Sequence, residues 1–155
     1  MAYISFTKTK LPYGWLGNMF PAPITYDGQI WRTSEALFQA LRFEDLTIRE
    51  MIRNDKSPMG AKLMMKKYKT KMVVEPMSTE DLENMRLCLR LKFDQHPDIR
   101  EKLLKTGDHL IFEDIEERPK TDRNKFWGAF KTNGQLDGQN MLGKLLMELR
   151  EELKK

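Results

Sequence analysis

Cysteine is almost missing from this chain. Cys88 stands alone among 155 residues, so no intrachain disulfide is available and a reducing, cytoplasmic setting is the expectation. Histidine is nearly as scarce. His96 and His109 are the two present, and with Cys88 they show no metal-ligand spacing, which argues against a metal centre. Nor does any Ser/His/Asp or Cys/His signature appear. No apolar run approaches the roughly 18 residues of a membrane span, and the opening MAYISFTKTK lacks the basic-then-apolar layout of a signal peptide. A strong charge of one sign is lacking too: 27 Lys+Arg against 23 Asp+Glu leave a net +4 and a pI near 9.1. That mild excess permits a nucleic-acid or phosphate-bearing partner without requiring one.

What is present suits one folded domain over residues 1–155. Apolar residues make up 40% and charged ones 32%, which argues against disorder. A core of this size buries roughly 70% of the unfolded chain's surface and needs no staple. Tyr3, Ile4 and Phe6, then Ile24, Tyr26, Asp27-Gly28, Ile30 and Trp31, read as short strands, the later pair closed by a two-residue Asp-Gly turn. A helix is predicted from Thr33 or Ser34 through SEALFQALRF, a second from near Thr47 to before Ser57-Pro58, and a third from Ser78 to Phe93 behind a capping box with Asp81 in place of Glu. Pro97 and Gly107 bracket another, and His109–Ile115 reads as a strand. The polar segment from Glu116 to Gln139 reads as a long loop, after which Asn140 would cap a last helix with Leu142, Leu145, Leu146, Leu149 and Leu153 on one stripe. The fold class is therefore α+β: a mainly helical single domain with a small N-terminal β-sheet.

Several constellations could carry chemistry. Glu35, Gln39 and Arg42 stand at i, i+4 and i+7, so a carboxylate, an amide and a guanidinium share one helix face. The stripe is either the solvated edge of a buried helix or one wall of a pocket, where Glu35 would act as acid, base or charge stabiliser and Arg42 would hold a phosphate or pair with Glu35. Gly134, Gly138 and Asn140 lead into the last helix, which reads as a plain turn with an N-cap or as a seat for pyrophosphate. Trp15, Trp31 and Trp127 are core residues or stacking platforms for a base. Lys62, Lys66, Lys67, Lys69 and Lys71, with Tyr68 among them, form a basic run that follows a nucleic-acid backbone or simply meets water. A hydrolase working on carboxylates alone would draw on Glu35, Glu113, Asp114 and Asp122.

These pieces occur together in a known order. LGNMFPAPITYDG, WRTSEALFQALRF, SPMGAK, MRLCLRLKFDQHPDIREKLLKTGD, FWG and GQNMLGKLLMELR resemble the NADAR (YbiA-like) domain family from about Trp15 to Leu153. The resemblance implies a metal-independent N-glycosidase that needs no cofactor and cleaves the bond between ribose C1′ and a base nitrogen. Family members act on early phosphorylated intermediates of riboflavin synthesis or remove ADP-ribose from guanine in nucleic acid. By motif position Glu35 matches the catalytic glutamate, while Asn18, Trp31, Gln39, Trp127, Gly128, Gly138 and Asn140 match the pocket-lining pattern.

Two departures from the family bear on the chemistry. Arg42 stands where many members have Lys, and Asn124 where many have Asp, with Asp122 two residues earlier; Arg42, Asp122 and Asn124 are counted with Glu35 among the catalytic candidates. An arginine stays protonated and is no amine nucleophile: if the family's lysine acts covalently this chain must work differently, and if it acts electrostatically Arg42 can replace it. Near Met77 a tryptophan of the riboflavin-type members is missing. With the basic run, this favours ADP-ribosylated nucleic acid as partner over a smaller ADP-ribose-like molecule or a riboflavin intermediate. A lapsed ADP-ribose- or NAD-binding module and a plain nucleic-acid-binding protein are the non-enzymatic readings.

Overall fold

The computed structural model describes residues 2–155, apart from the side chains of Pro58, Ala61, Lys62 and Met65; Lys62 of the basic run thus lies outside the described side chains. Two compact units emerge, one comprising Asn18–Pro97 and the other the chain up to Gly17 together with Asp98–Lys155.

Strand β1 (Tyr3–Phe6) belongs to the other unit; in the Asn18–Pro97 unit β2 (Ile24–Tyr26) pairs with β3 (Gln29–Trp31), antiparallel. Asp27 and Gly28 between them both take positive φ, 52° and 76°, as a two-residue hairpin turn of this hand requires. Helix α1 (Ser34–Ala40) follows, and the Thr33 side chain caps it by accepting from the Ala36 N–H. α1 stops earlier than the sequence pattern predicts. Its last turn tightens, with Arg42 N–H donating to Gln39 C=O and Phe43 N–H to Ala40 C=O, so Arg42 lies just beyond the helix. α2 (Leu46–Asn54) is capped by Asp45, and α3 (Pro58–Lys67) by Ser57 with Pro58 in its first turn. α4 (Thr79–Gln95) starts at Ser78, whose hydroxyl accepts from the Asp81 N–H, as the capping pattern anticipates. α1 packs against α2, α3 and α4, and α4 packs against β2. Gln95 completes that join by exchanging two hydrogen bonds with the Thr25 backbone, at 2.7 and 2.9 Å.

In the other unit β1 (Tyr3–Phe6) pairs in parallel with β4 (Leu110–Glu113), in register from Tyr3 opposite Leu110 to Phe6 opposite Glu113. The small N-terminal sheet of the sequence reading is therefore two separate pieces, because a parallel partner must come from a distant crossover rather than the next strand. α5 (Pro97–Lys105) precedes β4. The segment read as a long loop holds α6 (Asp122–Trp127) and a hairpin, β5 (Phe130–Thr132) with β6 (Gln135–Asp137), turned by Asn133-Gly134 at φ 50° and 78°. α7 (Met141–Leu153) then lies across β4, burying Leu142, Leu145, Leu146 and Leu149.

Candidate active site

Glu35, in the first turn of α1, is half-buried and accepts a hydrogen bond from Gln39 Nε2 at 2.5 Å. Gln39 turns its other amide atom the opposite way, its Oε1 accepting from Arg42 Nη1 at 3.2 Å. Arg42 in turn grips Asp81 of α4 with two parallel bonds, Nε to Oδ1 at 2.9 Å and Nη2 to Oδ2 at 2.8 Å. Carboxylate, amide, guanidinium and carboxylate thus form one chain. Gln39, Arg42 and Asp81 are buried, and Glu35 is its more exposed end.

This geometry corrects the sequence reading of Arg42. The guanidinium is buried and engaged rather than open to clamp a phosphate, and it is not paired directly with Glu35; three of its five N–H groups bond Asp81 and Gln39, and it also stacks 4.7 Å from the centroid of the Phe38 ring. It reaches Glu35 through Gln39. Asp81 is the member of the chain that sequence reasoning assigned only to a helix cap. Its Oδ2 does reach back to the Met77 N–H at 2.9 Å, in the manner of a capping box, but its larger partner is Arg42, thirty-nine positions away in sequence.

Asn18 closes the other side of Glu35. Its backbone carbonyl accepts from the Glu35 N–H at 3.1 Å, its Oδ1 from the Ser34 hydroxyl at 2.8 Å, and its Nδ2 points to the sulfur of Met85 at 3.0 Å. Trp31 ends β3 beside α1, buried, and among the described residues its indole N–H has no hydrogen-bond partner. Further along the α4 face that carries Asp81 and Met85 come Cys88 and Lys92, both fully buried. Burial pushes the Cys88 thiol well above its usual pKa, and the negative charges of Glu35 and Asp81 push it further, so Cys88 is an inert thiol beside both carboxylates. Burial lowers Lys92 to about 7, with its ammonium near the Phe20 and Phe93 rings. The sequence reading passed over Lys92, although its eleven-residue spacing from Asp81 sets it on the same buried face.

The remaining candidates belong to the other unit. Asp122 is exposed in the first turn of α6, while Asn124 spends its side-chain amide on the Pro119 carbonyl at 2.8 Å. Trp127 is buried, edge-on to Phe126 with centroids 4.9 Å apart. Gly138, at φ 123°, is required by close approach: a Cβ there would stand 2.5 Å from the Gly128 carbonyl oxygen. Asn140 takes the N-cap place of α7 but does not cap it. Its backbone is left-handed, and its side chain joins β4 instead, Nδ2 to the Ile111 carbonyl at 2.8 Å and Oδ1 from the Glu113 N–H at 3.2 Å. The N–H groups of Gln139 and Asn140 are given to Lys125 and Gly128 carbonyls, so this pair is committed to the loop rather than held out to an anion. Among the described residues, no cluster of His, Cys, Asp or Glu is arranged to hold a metal ion.

Comparison with known proteins matches the chain to one family. The model of the NADAR domain matches residues 5–154. The N-glycosidase YbiA of Escherichia coli (strain K12) is 39% identical over 150 residues, covering 97% of this chain and 88% of that protein. A riboflavin biosynthesis protein of Vibrio vulnificus, VVA0006, is 31% identical over 150 residues, of which this chain spans 38%. The NMR structure of the E. coli protein YbiA superposes with a TM-score of 0.79 at 38% identity, over 99% of this chain and 85% of that one. With the family model matched over residues 5–154, the chain belongs to the NADAR domain family.

Proposed function

We propose that this protein is an N-glycosidase that hydrolyses the bond between ribose C1′ and a base nitrogen, and that its substrate is ADP-ribosylated guanine in nucleic acid. The observation that carries the reading is the half-buried Glu35, tethered at one oxygen by Gln39 and backed by the Arg42–Asp81 pair. Breaking an N-ribosyl bond builds positive charge on the ribose ring, and a carboxylate oriented in advance stabilises that charge without reorganising. Water adds its oxygen to C1′, the C1′–N bond breaks, and the water's proton passes by way of Glu35 or solvent to the departing base. Arg42 is a positioning residue: through Gln39 it fixes which Glu35 oxygen is held and leaves the other available.

The nucleic-acid substrate is supported by the exposed Lys66, Lys67, Lys69 and Lys71 at the end of α3 and just after it, with Tyr68 among them, and by Met77 in the place of the family's riboflavin-type tryptophan. The Vibrio relative's name favours a second reading, hydrolysis of phosphorylated riboflavin-pathway intermediates. Both are tested together. DNA bearing ADP-ribosyl-guanine and, separately, the early riboflavin intermediates are incubated with the protein, and released ADP-ribose or ribose phosphate is followed by chromatography. Release of ADP-ribose by the wild type and a loss of about 10²–10⁴-fold in Glu35→Gln is the expected result. Equal release by Glu35→Gln removes Glu35 from the reaction, and turnover of the riboflavin intermediates alone replaces the substrate. In the same assay Asp122→Asn tests whether Asp122 stands in for the aspartate that many family members carry at the Asn124 position, and Trp127→Ala tests a stacking role for Trp127; a loss of turnover supports each role and wild-type turnover removes it.

A further inference from the structure

Apart from the residues discussed above, one groove in the unit that holds β1 and β4 has no assigned role. It encloses about 760 Å³ and is lined by Tyr3, Tyr13, Trp15, Lys102, Lys105 and His109, among others. Beside apolar Ile4, Phe6, Leu11 and Pro12 it carries exposed rings and two lysines, and single-stranded nucleic acid needs that pairing: flat rings for bases and positive charge for the phosphates between them.

The aromatic side is built rather than incidental. Tyr13 is 42% exposed, yet its backbone is held in the left-handed region at φ 65°, a conformation costly for a residue with a bulky side chain. The surrounding loop enforces it. Leu11 N–H bonds the Lys8 carbonyl, Gly14 N–H the Leu11 carbonyl and Leu16 N–H the Tyr13 carbonyl, all within 2.9–3.1 Å. At Gly14 the chain passes so close to itself that a Cβ would lie 2.2 Å from the Thr9 carbonyl oxygen. The result is a rigid loop that presents the Tyr13 ring to solvent, with the Trp15 ring 6.3 Å away and tilted by 51°. A ring carried on a backbone held in advance loses less entropy when a base stacks on it.

The cationic side lies on α5, where Lys102 and Lys105 are three residues apart and share a face. Lys105 meets Glu101 only at 4.0 Å, with both side chains largely in water, so that pairing does little to neutralise it. Lys8 and Lys10 are exposed on the loop that carries Tyr13. Lys131, outside the groove's lining, stands over the Tyr3 ring at 3.4 Å, so Tyr3 already has a cation on its face and Tyr13 is the ring left for a base.

We infer that this groove seats the single strand on which the modified base is carried, with a base stacked on Tyr13 and backbone phosphates on Lys102 and Lys105. The inference rests on the substrate reading above and adds to it a docking surface made of residues other than those assigned to bond breaking. Binding of an unmodified, fluorescently labelled single-stranded oligonucleotide of about 12 residues is measured by anisotropy across a salt series. The wild type binds with a clear salt dependence; replacing Lys102 and Lys105 together by Ala lowers the slope of log K against log salt by about 1.4, the value for two lost contacts to a single strand. Tyr13→Ala weakens binding about tenfold and Tyr13→Phe, which keeps the ring, does not. In turnover, the same variants raise KM for the ADP-ribosylated oligonucleotide and leave its kcat and the hydrolysis of ADP-ribosyl-guanosine as in the wild type. No binding by the folded wild type, or variants that bind with wild-type affinity and salt slope, overturns the proposal. If no substrate releases ADP-ribose, the catalytic reading fails while the anisotropy series still decides the groove.

Discussion

Arg42 carries a positive charge at 1% exposure, and its cost is offset because Asp81 meets it with two bonds of 2.9 and 2.8 Å while Gln39 takes a third N–H. Removing one partner strands the other. Asp81→Ala is expected to lower stability by about 3–5 kcal/mol, measured by urea unfolding, since a buried guanidinium is left without its counter-charge. Replacing both by apolar residues, Arg42→Met with Asp81→Leu, is expected to recover most of that stability and none of the turnover, because the Gln39 amide then loses the contact that fixes its direction. Recovery of turnover in the double variant would show that Glu35 needs no such backing. At this scale the sequence was legible for Glu35 and Gln39, whose four-residue spacing alone sets them side by side. It was not legible for Asp81, since local patterning explains that residue fully as a cap and carries no sign of a partner beyond its own helix.

Elements pack here by close backbone approach as much as by side-chain volume. Gly143 in the first turn of α7 lets the helix lie on β4: a Cβ at this position would fall 2.2 Å from the Ile111 carbonyl oxygen and 2.5 Å from the Asn140 amide. Alanine is the better helix former by about 1 kcal/mol, yet Gly143→Ala is expected to destabilise the protein by about 1–3 kcal/mol, because α7 must lift away from β4 and disturb both Asn140 hydrogen bonds. Thermal unfolding checks it; a raised Tm would mean that helix propensity outweighs the contact. Five of the helices were readable from their caps and apolar stripes, as at Thr33, Ser78 and Pro97, whereas α3 was not foreseen and α6 fell in the segment read as a loop. The β5–β6 hairpin was not, because Lys131, Thr132 and Gln135 are exposed and leave no alternation for a buried face. Its one signal was Asn133-Gly134, the pair that suits a turn with positive φ at both positions. The parallel join of β1 to β4 was invisible for a different reason: neither strand's own sequence names a partner more than a hundred residues distant.

For the molecule as a whole, two buried groups on α4 set opposite dependences of global stability on pH. Lys92 has a pKa of about 7 when folded, against 10.5 for the ordinary side chain. Between those values the unfolded chain binds the proton that the folded chain has released, so stability rises with pH by up to about 1.4 kcal/mol per unit. Cys88 acts in the other direction. Its thiol stays protonated in the folded protein well above the ordinary value of 9.0, so above about pH 9 the folded chain holds the extra proton and stability falls with pH. The two slopes together predict a rise from pH 7 to about 9 and a plateau from there to about 10.5, measured as urea-unfolding free energies at half-unit steps. Lys92→Met should abolish the rise, and Cys88→Ala should extend it beyond pH 9 with no plateau. A flat profile in the wild type would mean that Lys92 keeps its proton in the folded protein, held there against burial by the groups around it.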